Sequence, residues 1–206
     1  MENRVHQLSP GHESDFRMFV KKFEELAGRP MPAEDLRIWR EIIQYREFPA
    51  KTTLLRAGSM PSEYYFTIEG LSRQYYLDMD GSEVTRGFAW EGEFVCTEVL
   101  IQGRSAAYSI ETLEPCRFFA CNLADLDSFR FSVFYKDVTI AAMANNLRRR
   151  MIREANFLMM SSTERYEAFL DAYPFLKNRV KQSYLASYLG MTPESLSRVR
   201  RAIKER

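Results

Sequence analysis

The stretch QSYLASYLGMTPESLSRVRRAI, residues 182–203, predicts two short helices joined by a tight turn. Gly190 falls where the first helix must end, and glycine adopts the left-handed conformation of a helix C-terminus at little cost. Thr192 can cap the second helix, and Pro193 suits its first position because no N–H is needed there. Ala186 is small enough to let the helices cross closely, and these features together predict a helix-turn-helix. The apolar inner stripes are Leu185, Leu189, Leu196, Val199 and Ile203.

The outward face of the second helix carries polar side chains that can read DNA. Helical spacing places Glu194, Ser197, Arg198 and Arg201 away from the apolar stripe. Arginine can bind guanine through two hydrogen bonds, and glutamate can accept one from cytosine. The alternative is a packed helical hairpin with a solvated surface, in which Glu194 and Arg198 form only an ion pair one turn apart.

Charge is distributed unevenly along the 206 residues. The net charge is +1, but residues 177–206 hold eight basic and two acidic side chains, a surplus of six. The other 176 residues therefore carry a net charge of −5. A basic C-terminal end on a mildly acidic body is the asymmetry expected of a protein that meets phosphate.

Several functional classes are disfavoured by what the sequence contains. No run approaches the roughly 18 apolar residues of a membrane span, and residues 1–10 lack the apolar core of a signal peptide, so we expect a cytoplasmic protein without a membrane. Three cysteines suggest neither a disulfide framework nor an iron–sulfur cluster, and we expect them to be buried or half-buried. These are Cys96, Cys116 and Cys121.

Catalytic and metal-binding patterns are also missing. The histidines, His6 and His12, lie outside the β-type region, whereas a metal-dependent cupin needs two or three from its strands. No glycine-rich phosphate loop, Ser/His/Asp set or Cys/His set is visible. The sequence therefore predicts no enzyme, no metal and no cofactor.

The first half of the chain changes from helical to β-type patterning. Helices are predicted over residues 13–28 and from Ala33 to about Tyr45. Between Phe48 and Asn122, short β-rich runs alternate with turn signals, which is typical of a β-barrel or sandwich. The expected turns are Asp80-Gly81 and Glu114-Pro115, both as hairpins, and Glu91-Gly92-Glu93.

The second half is helical. A long helix without proline or glycine is predicted from Ser132 to Met160, and a further helix, capped by Ser162 or Thr163, runs through Ala172. An apolar stripe on the long helix is either ordinary core or a dimer seam, and a seam is the more usual role for so long a helix. The stripe comprises Ile140, Met143, Leu147, Met151, Ala155 and Leu158. The expected domains are residues 1–131, the helix 132–160 and residues 161–206.

Four segments in this order resemble the CRP/FNR family of bacterial transcription regulators, and the resemblance covers nearly the whole chain. The segments are FTIEGLSRQYYLDMDGSEVTRGF (66–88), GEFV (92–95), RSAAYSIETLEPC (104–116) and YLASYLGMTPESLSRVR (184–200). The last segment is especially similar to the Bacteroidetes-type branch. The implied fold is α+β: N-terminal helices, a double-stranded β-roll like a cyclic-nucleotide-binding domain, a long dimerisation helix and a helical helix-turn-helix domain without a β wing.

The resemblance implies a sequence-specific DNA-binding regulator. It acts as a homodimer on double-stranded DNA, at a palindromic operator with half-sites about 34–36 Å apart, and RNA polymerase is a further expected partner. The family's base-contacting positions fall on Pro193, Glu194 and Arg198, and proline offers no side-chain donor. Without a wing, Arg200, Arg201, Lys204 and Arg206 are expected to contact phosphates. The predicted DNA-binding set is Gln182, Thr192, Pro193, Glu194, Ser195, Ser197, Arg198, Arg201 and Lys204.

The effector is expected to differ from cyclic AMP. Arg104-Ser105 matches one pair of the family's phosphate-binding cassette and is the candidate effector-binding pair, but Cys96-Thr97 stands where the family has Gly-Glu. The segment 98–103 is shorter than in the family, and the adenine-contacting positions fall on Arg150 and Met151. We therefore expect an unidentified small effector. The alternatives are a cyclic-nucleotide-responsive regulator, or a cupin-like β-roll protein that acts through protein contacts without DNA.

Overall fold

The structure is a computed structural model that describes residues 4–8, 10–95 and 105–205. The chain forms two compact units, each assembled from two stretches of sequence. Unit 1 comprises Met1–Gln74 and Phe88–Asn145, and unit 2 comprises Tyr75–Gly87 and Asn146–Arg206. The boundaries pass through two strands of the sheet region and through the long helix.

The described residues combine helices at both ends of the chain with strands between them. The helices are α1 (Glu13–Ala27), α2 (Ala33–Ile42), α3 (Val133–Met159), α4 (Ser162–Ala172), α5 (Gln182–Tyr188) and α6 (Pro193–Lys204). The strands are β1 (Arg4–Gln7), β2 (Gln44–Phe48), β3 (Thr53–Leu55), β4 (Glu63–Glu69), β5 (Ser72–Leu77), β6 (Glu83–Ala89), β7 (Phe94–Val95), β8 (Ser109–Thr112) and β9 (Cys116–Asn122). Short 3₁₀ helices occupy Pro10–His12, Leu123–Phe129 and Pro174–Leu176.

The strands form two sheets, which confirms the predicted β-roll. One sheet has the order β1-β2-β9-β4-β7 and the other β3-β8-β5-β6. In the first sheet β4 and β9 pair antiparallel, with Tyr65 opposite Ala120 and Phe66 opposite Phe119. Alternate residues of these strands face opposite sides of the sheet, so β4 and β9 contribute to two separate apolar clusters.

The first cluster of unit 1 is aromatic and joins α1 and α2 to the sheet. The ring of Phe19 lies edge-on to Phe66 at 5.2 Å and to Trp39 at 5.1 Å between centroids. The second cluster lies on the strands and contains Phe48, Ile110 and Phe118. Aromatic pairs of this kind add about 0.5–1.5 kcal/mol each beyond their burial, so the helices are fixed firmly to the roll.

Ser132 caps the long helix and ties its start to α2. The Ser132 hydroxyl donates to Asp35 Oδ2 at 2.5 Å and accepts the Tyr135 N–H at 3.0 Å. Asp35 is buried, so this polar contact is shielded from water. The predicted start of the long helix is confirmed to within one residue, since α3 spans Val133–Met159.

Two local predictions in the strand region are wrong. The second helix ends at Ile42, and the chain turns into β2 at Gln44, because Tyr45 pairs opposite Phe119 of β9 and its ring is buried. The strand β1, which pairs with β2, was not predicted at all. Glu114-Pro115 does not close a hairpin, because β8 and β9 belong to different sheets.

Unit 2 contains α4, α5, α6 and the C-terminal part of α3. The cap of α4 is Ser161 rather than Ser162 or Thr163: Ser161 and Glu164 exchange hydrogen bonds in a capping box. A small core is formed by Tyr166, Phe169, Leu176, Leu185 and Leu196, all buried. In the part of the chain that the structure describes, no helix has the length and apolar character required to cross a membrane.

Candidate nucleic-acid interface

The turn between α5 and α6 has the geometry that its sequence predicts. Gly190 has φ +67°, the left-handed region. The Met191 N–H donates to the Ala186 carbonyl at 3.0 Å, and the Gly190 N–H donates to the Ser187 carbonyl at 3.1 Å. This pair of bonds is a Schellman motif, which ends α5 and redirects the chain.

Side chains from α3 and α4 hold the end of α5, and no motif or spacing in the sequence predicts these contacts. Arg153 Nη2 donates to the Tyr188 carbonyl at 2.8 Å, and Arg165 Nε donates to the Leu189 carbonyl at 3.1 Å. Cations suit a helix C-terminus because its last carbonyls are unpaired. The Phe157 ring packs against the Cα of Gly190 so closely that a Cβ there would overlap it.

The start of α6 is capped as predicted. Thr192 Oγ1 accepts the Ser195 N–H at 3.2 Å, and Pro193 occupies the first helical position. Gln182 at the start of α5 donates through Nε2 to the Pro193 carbonyl at 3.2 Å, which links the two helices of the motif. Leu196 is fully buried, so the opposite side of α6 is fixed outward.

The outward side of α6 keeps its charged groups available. Glu194, Ser197 and Arg198 are all exposed. Arg198 Nη2 donates to Ser195 Oγ at 3.2 Å. Arg198 and Glu194 both belong to the described residues, and they form no ion pair with each other. The pKa of Glu194 is lowered by its own backbone N–H, by Thr192 and, more weakly, by Arg198, so the carboxylate is ionised. The surface ion pair of the alternative interpretation is therefore not formed.

A basic concave patch lies beside this face. Its lining residues are Gln182, Ser197, Arg200, Arg201 and Lys204. Three cations and no carboxylate line the patch, which is the composition that suits a phosphate backbone. Arg200 was expected only as a phosphate contact, and here it accompanies four residues of the predicted DNA-binding set.

The predicted site residues fall into three groups. All nine predicted DNA-binding residues lie on α5, on α6 or in the turn, and eight are exposed while Ser195 is half-buried in the cap. Ser105 is exposed in unit 1. Arg104, Arg206 and the segment 96–103, which includes Cys96-Thr97, lie outside the described residues.

The apolar stripe of α3 is largely uncovered in the single chain. Ile140 in unit 1 is exposed, as are Leu147, Met151 and Leu158 in unit 2, the last with 79 % of its surface accessible. These positions follow one another at seven- and four-residue steps, which keeps them on one side of a helix. The stripe is thus not ordinary core.

A hairpin end from the sheet region belongs to unit 2, which the sequence did not indicate. Its tip is ordered by Asp78, whose Oδ1 accepts the N–H groups of Asp80 and Ser82 at 3.0 and 2.8 Å, as the Asp80-Gly81 signal predicts. On β6 the Thr85 N–H donates to Ser187 Oγ of α5 at 2.9 Å, and Thr85 is fully buried. The first helix of the motif therefore contacts a strand end directly.

Within unit 1 a buried ion pair crosses neighbouring strands of the four-stranded sheet. Arg73 Nη2 lies 2.6 Å from Glu111 Oε1, and Nε donates to the same oxygen at 2.9 Å. Arg73 is 1 % exposed, so this charge is well shielded. Among the described residues, no cluster of three or more histidine, cysteine, aspartate or glutamate side chains is arranged to hold a metal ion.

Comparisons with known proteins agree with this geometry. Residues 45–132 match the cyclic nucleotide-binding domain family. The structure is similar to FixK2 from Bradyrhizobium japonicum, with TM-score 0.72 and 17% identity over 80% of this chain and 85% of that one. It is also similar to the c-di-GMP responsive global regulator CLP from Xanthomonas campestris, with TM-score 0.65 and 18% identity over 84% and 92%.

A third similar structure is the catabolite activator protein of Thermus thermophilus, with TM-score 0.55 and 19% identity over 87% of both chains. No curated protein sequence matches the chain. Two of these neighbours are named as a global regulator and a catabolite activator protein. The chain therefore contains a domain of the cyclic nucleotide-binding family and has the fold of the CRP/FNR regulators, which confirms the resemblance. Its placement in a Bacteroidetes-type branch stays a prediction.

Proposed function

We propose that this protein is a sequence-specific DNA-binding transcription regulator that acts as a homodimer. The observation that carries the proposal is the outward face of α6, where Glu194 and Arg198 are exposed and not paired with each other. The basic patch of Arg200, Arg201 and Lys204 supports it, because positioning on DNA depends on phosphate contacts.

In the proposed complex α6 enters the major groove with its N-terminal half towards the bases. Arg198 binds the O6 and N7 of a guanine, and Glu194 accepts from a cytosine N4. Gln182 is tied to the backbone at Pro193, so it orients the start of α6 as well as facing DNA. The nine predicted DNA-binding residues are the proposed interface.

The proposed dimer seam is the exposed stripe of α3. Burying a large apolar side chain contributes roughly 1.5–3 kcal/mol, so pairing of Ile140, Leu147, Met151 and Leu158 across two chains supplies a substantial driving force. Two-fold symmetry then calls for a palindromic operator. In this proposal residues 1–131 sense the effector, residues 132–160 pair the two subunits, and residues 161–206 bind DNA. RNA polymerase is the expected partner on the promoter, and no enzymatic activity is proposed.

The sensor is proposed to respond to a small molecule other than cyclic AMP, because the cassette sequence departs from the family at Cys96-Thr97. A cyclic-nucleotide-responsive regulator is the second candidate, favoured by the domain match over residues 45–132. Calorimetric titration with cyclic AMP separates the two. Micromolar affinity that is lost in Arg104→Ala would support the second candidate and overturn the first.

The DNA-binding proposal is tested by selecting bound sequences from random DNA and measuring affinity at graded salt. On the selected palindrome, Arg198→Ala should lose about 1–3 kcal/mol and relax the preference at one base position. Lys204→Ala is the matched control, since a phosphate contact weakens all sequences about equally and lowers the salt slope by about one. No enriched sequence, or a flat salt dependence, would favour a protein that acts through protein contacts alone.

A further inference from the structure

A cavity of about 250 Å³ lies inside unit 2, between the end of α3, α4 and the end of α5. It is separate from the outward face of α6 and from the basic patch. Its volume lies just below the roughly 300–1,000 Å³ usual for drug-sized ligands, so a molecule with a single ring suits it. Phe157, Phe169, Tyr173 and Tyr188 supply an aromatic lining.

The lining of the cavity is also positively charged. Arg149, Arg153 and Arg165 line it, and no aspartate or glutamate does. Arg165 donates to the carbonyls of Met160 and Leu189 and to the hydroxyl of Ser162, all neutral groups. Among the described residues, no carboxylate forms an ion pair with Arg153 or Arg165.

Arg153 has hydrogen-bonding capacity left over. Its Nη2 donates to the Tyr188 carbonyl, but its Nε is buried and has no hydrogen-bond partner among the described residues. An unmade hydrogen bond of a buried charged group is costly, and a bound acceptor would relieve that cost. Burial lowers the pKa of Arg153 below its usual range, which is what a charge without a counter-ion experiences.

The two guanidinium groups lie over one ring. Arg153 Cζ is 4.8 Å and Arg165 Cζ is 5.1 Å from the centroid of Phe157, and Arg153 is also 4.6 Å from that of Tyr188. Their stems and the rings form an apolar wall, and both guanidinium groups belong to residues that line the same cavity. This combination recognises a flat apolar body that carries an anion.

We propose that this cavity is a binding site for a small aromatic carboxylate, whose carboxylate meets Arg153 and Arg165 and whose ring packs among Phe157, Phe169 and Tyr188. The bound molecule would contact α3, α4 and α5 at once. It would therefore tie the first helix of the helix-turn-helix to the long helix, and slow the local opening of residues 182–189.

Benzoate is the probe for calorimetric titration of the full-length protein, with benzamide as the uncharged analogue and sulfate as the anion without a ring. Saturable benzoate binding is expected, with benzamide and sulfate each at least tenfold weaker. Arg153→Met keeps an apolar stem and should weaken benzoate about ten- to hundredfold. Arg148→Gln, an exposed arginine on α3 that does not line the cavity, should leave binding unchanged.

Ala168→Leu is a second variant, which fills the cavity and keeps both arginines. It should abolish benzoate binding while the far-UV circular dichroism and thermal unfolding stay close to those of the parent. No benzoate binding at millimolar concentration, or binding that both variants retain, would overturn the proposal. Equally tight binding of sulfate would show a general anion site instead. The titration contains no DNA, so its outcome is independent of the proposed regulatory function.

Discussion

Gly190→Ala tests whether the turn of the helix-turn-helix depends on both the backbone conformation and a close ring contact. Gly190 has φ +67°, and a Cβ built on it lies 3.1 Å from Cζ of Phe157 and closer still to Cε1. Gly28, which ends α1, has the same φ of +67° but no atom within 4 Å of its Cβ position. Gly28→Ala is therefore a control that differs only in the surroundings of the added methyl group.

The expected magnitudes follow from these two geometries. An alanine in the left-handed region costs about 1–2 kcal/mol, and this is the whole expected effect at Gly28. At Gly190 the overlap with Phe157 adds about 1–3 kcal/mol, for a total of roughly 2–5 kcal/mol. The added Phe157→Ala change in a double variant should remove the steric part, because it deletes the ring that the methyl group meets.

Hydrogen exchange resolved by peptide is the suitable assay, because it gives a local opening free energy for α1 and for α5 separately. Gly190→Ala should lower protection of residues 182–189 more than Gly28→Ala lowers that of residues 13–27. DNA affinity should fall with Gly190→Ala and stay unchanged with Gly28→Ala. Equal losses of protection at the two glycines would refute the reasoning. So would a Gly190→Ala/Phe157→Ala double variant whose loss of opening free energy equals the sum of the two single losses.

Two further predictions concern the seam and the buried thiols. Met151→Glu places a charge in the exposed apolar stripe and should convert the dimer to a monomer, as measured by light scattering. Asn145→Glu is the control, because Asn145 is exposed on α3 but lies off the stripe, and this variant should stay dimeric. A Met151→Glu variant that remains dimeric would contradict the proposed seam. Burial raises the pKa of both Cys116 and Cys121 to about 12, so the reactive thiolate is scarce in the folded protein. Neither cysteine should react with Ellman's reagent at mildly alkaline pH until the protein is denatured. Mass spectrometry identifies which cysteines have reacted. Rapid labelling of either cysteine in the folded protein would contradict this burial.

Sequence reasoning succeeded where a local signal was decisive. The left-handed Gly190, the Thr192 cap and the Asp80-Gly81 hairpin each depend on chemistry within four residues, and each is confirmed. The long helix has no proline or glycine to end it early, so its limits were also predictable.

The errors arise where partners distant in sequence decide the outcome. Tyr45 fits either a helix or a strand, and its pairing opposite Phe119 of β9 selects the strand. The ion pair between Arg73 and Glu111 joins residues 38 positions apart. The contacts of Arg153 and Arg165 with the end of α5 also join residues distant in sequence. The cavity that these arginines line therefore cannot be predicted from sequence pattern or residue spacing.

Unit 2 is built from two stretches of sequence, which restricts how its helix-turn-helix can be produced as a fragment or grafted onto another protein. A fragment that begins at Asn146 would leave out the hairpin end, and Ser187 would lose the N–H of Thr85 that it accepts. Grafting only the C-terminal helices onto another sensor would break the same bond. We expect a transplanted helix-turn-helix to fold only when residues 75–87 are transferred together with the helices. DNA sequence specificity is therefore easier to change by substitutions on α6 than by exchange of whole segments.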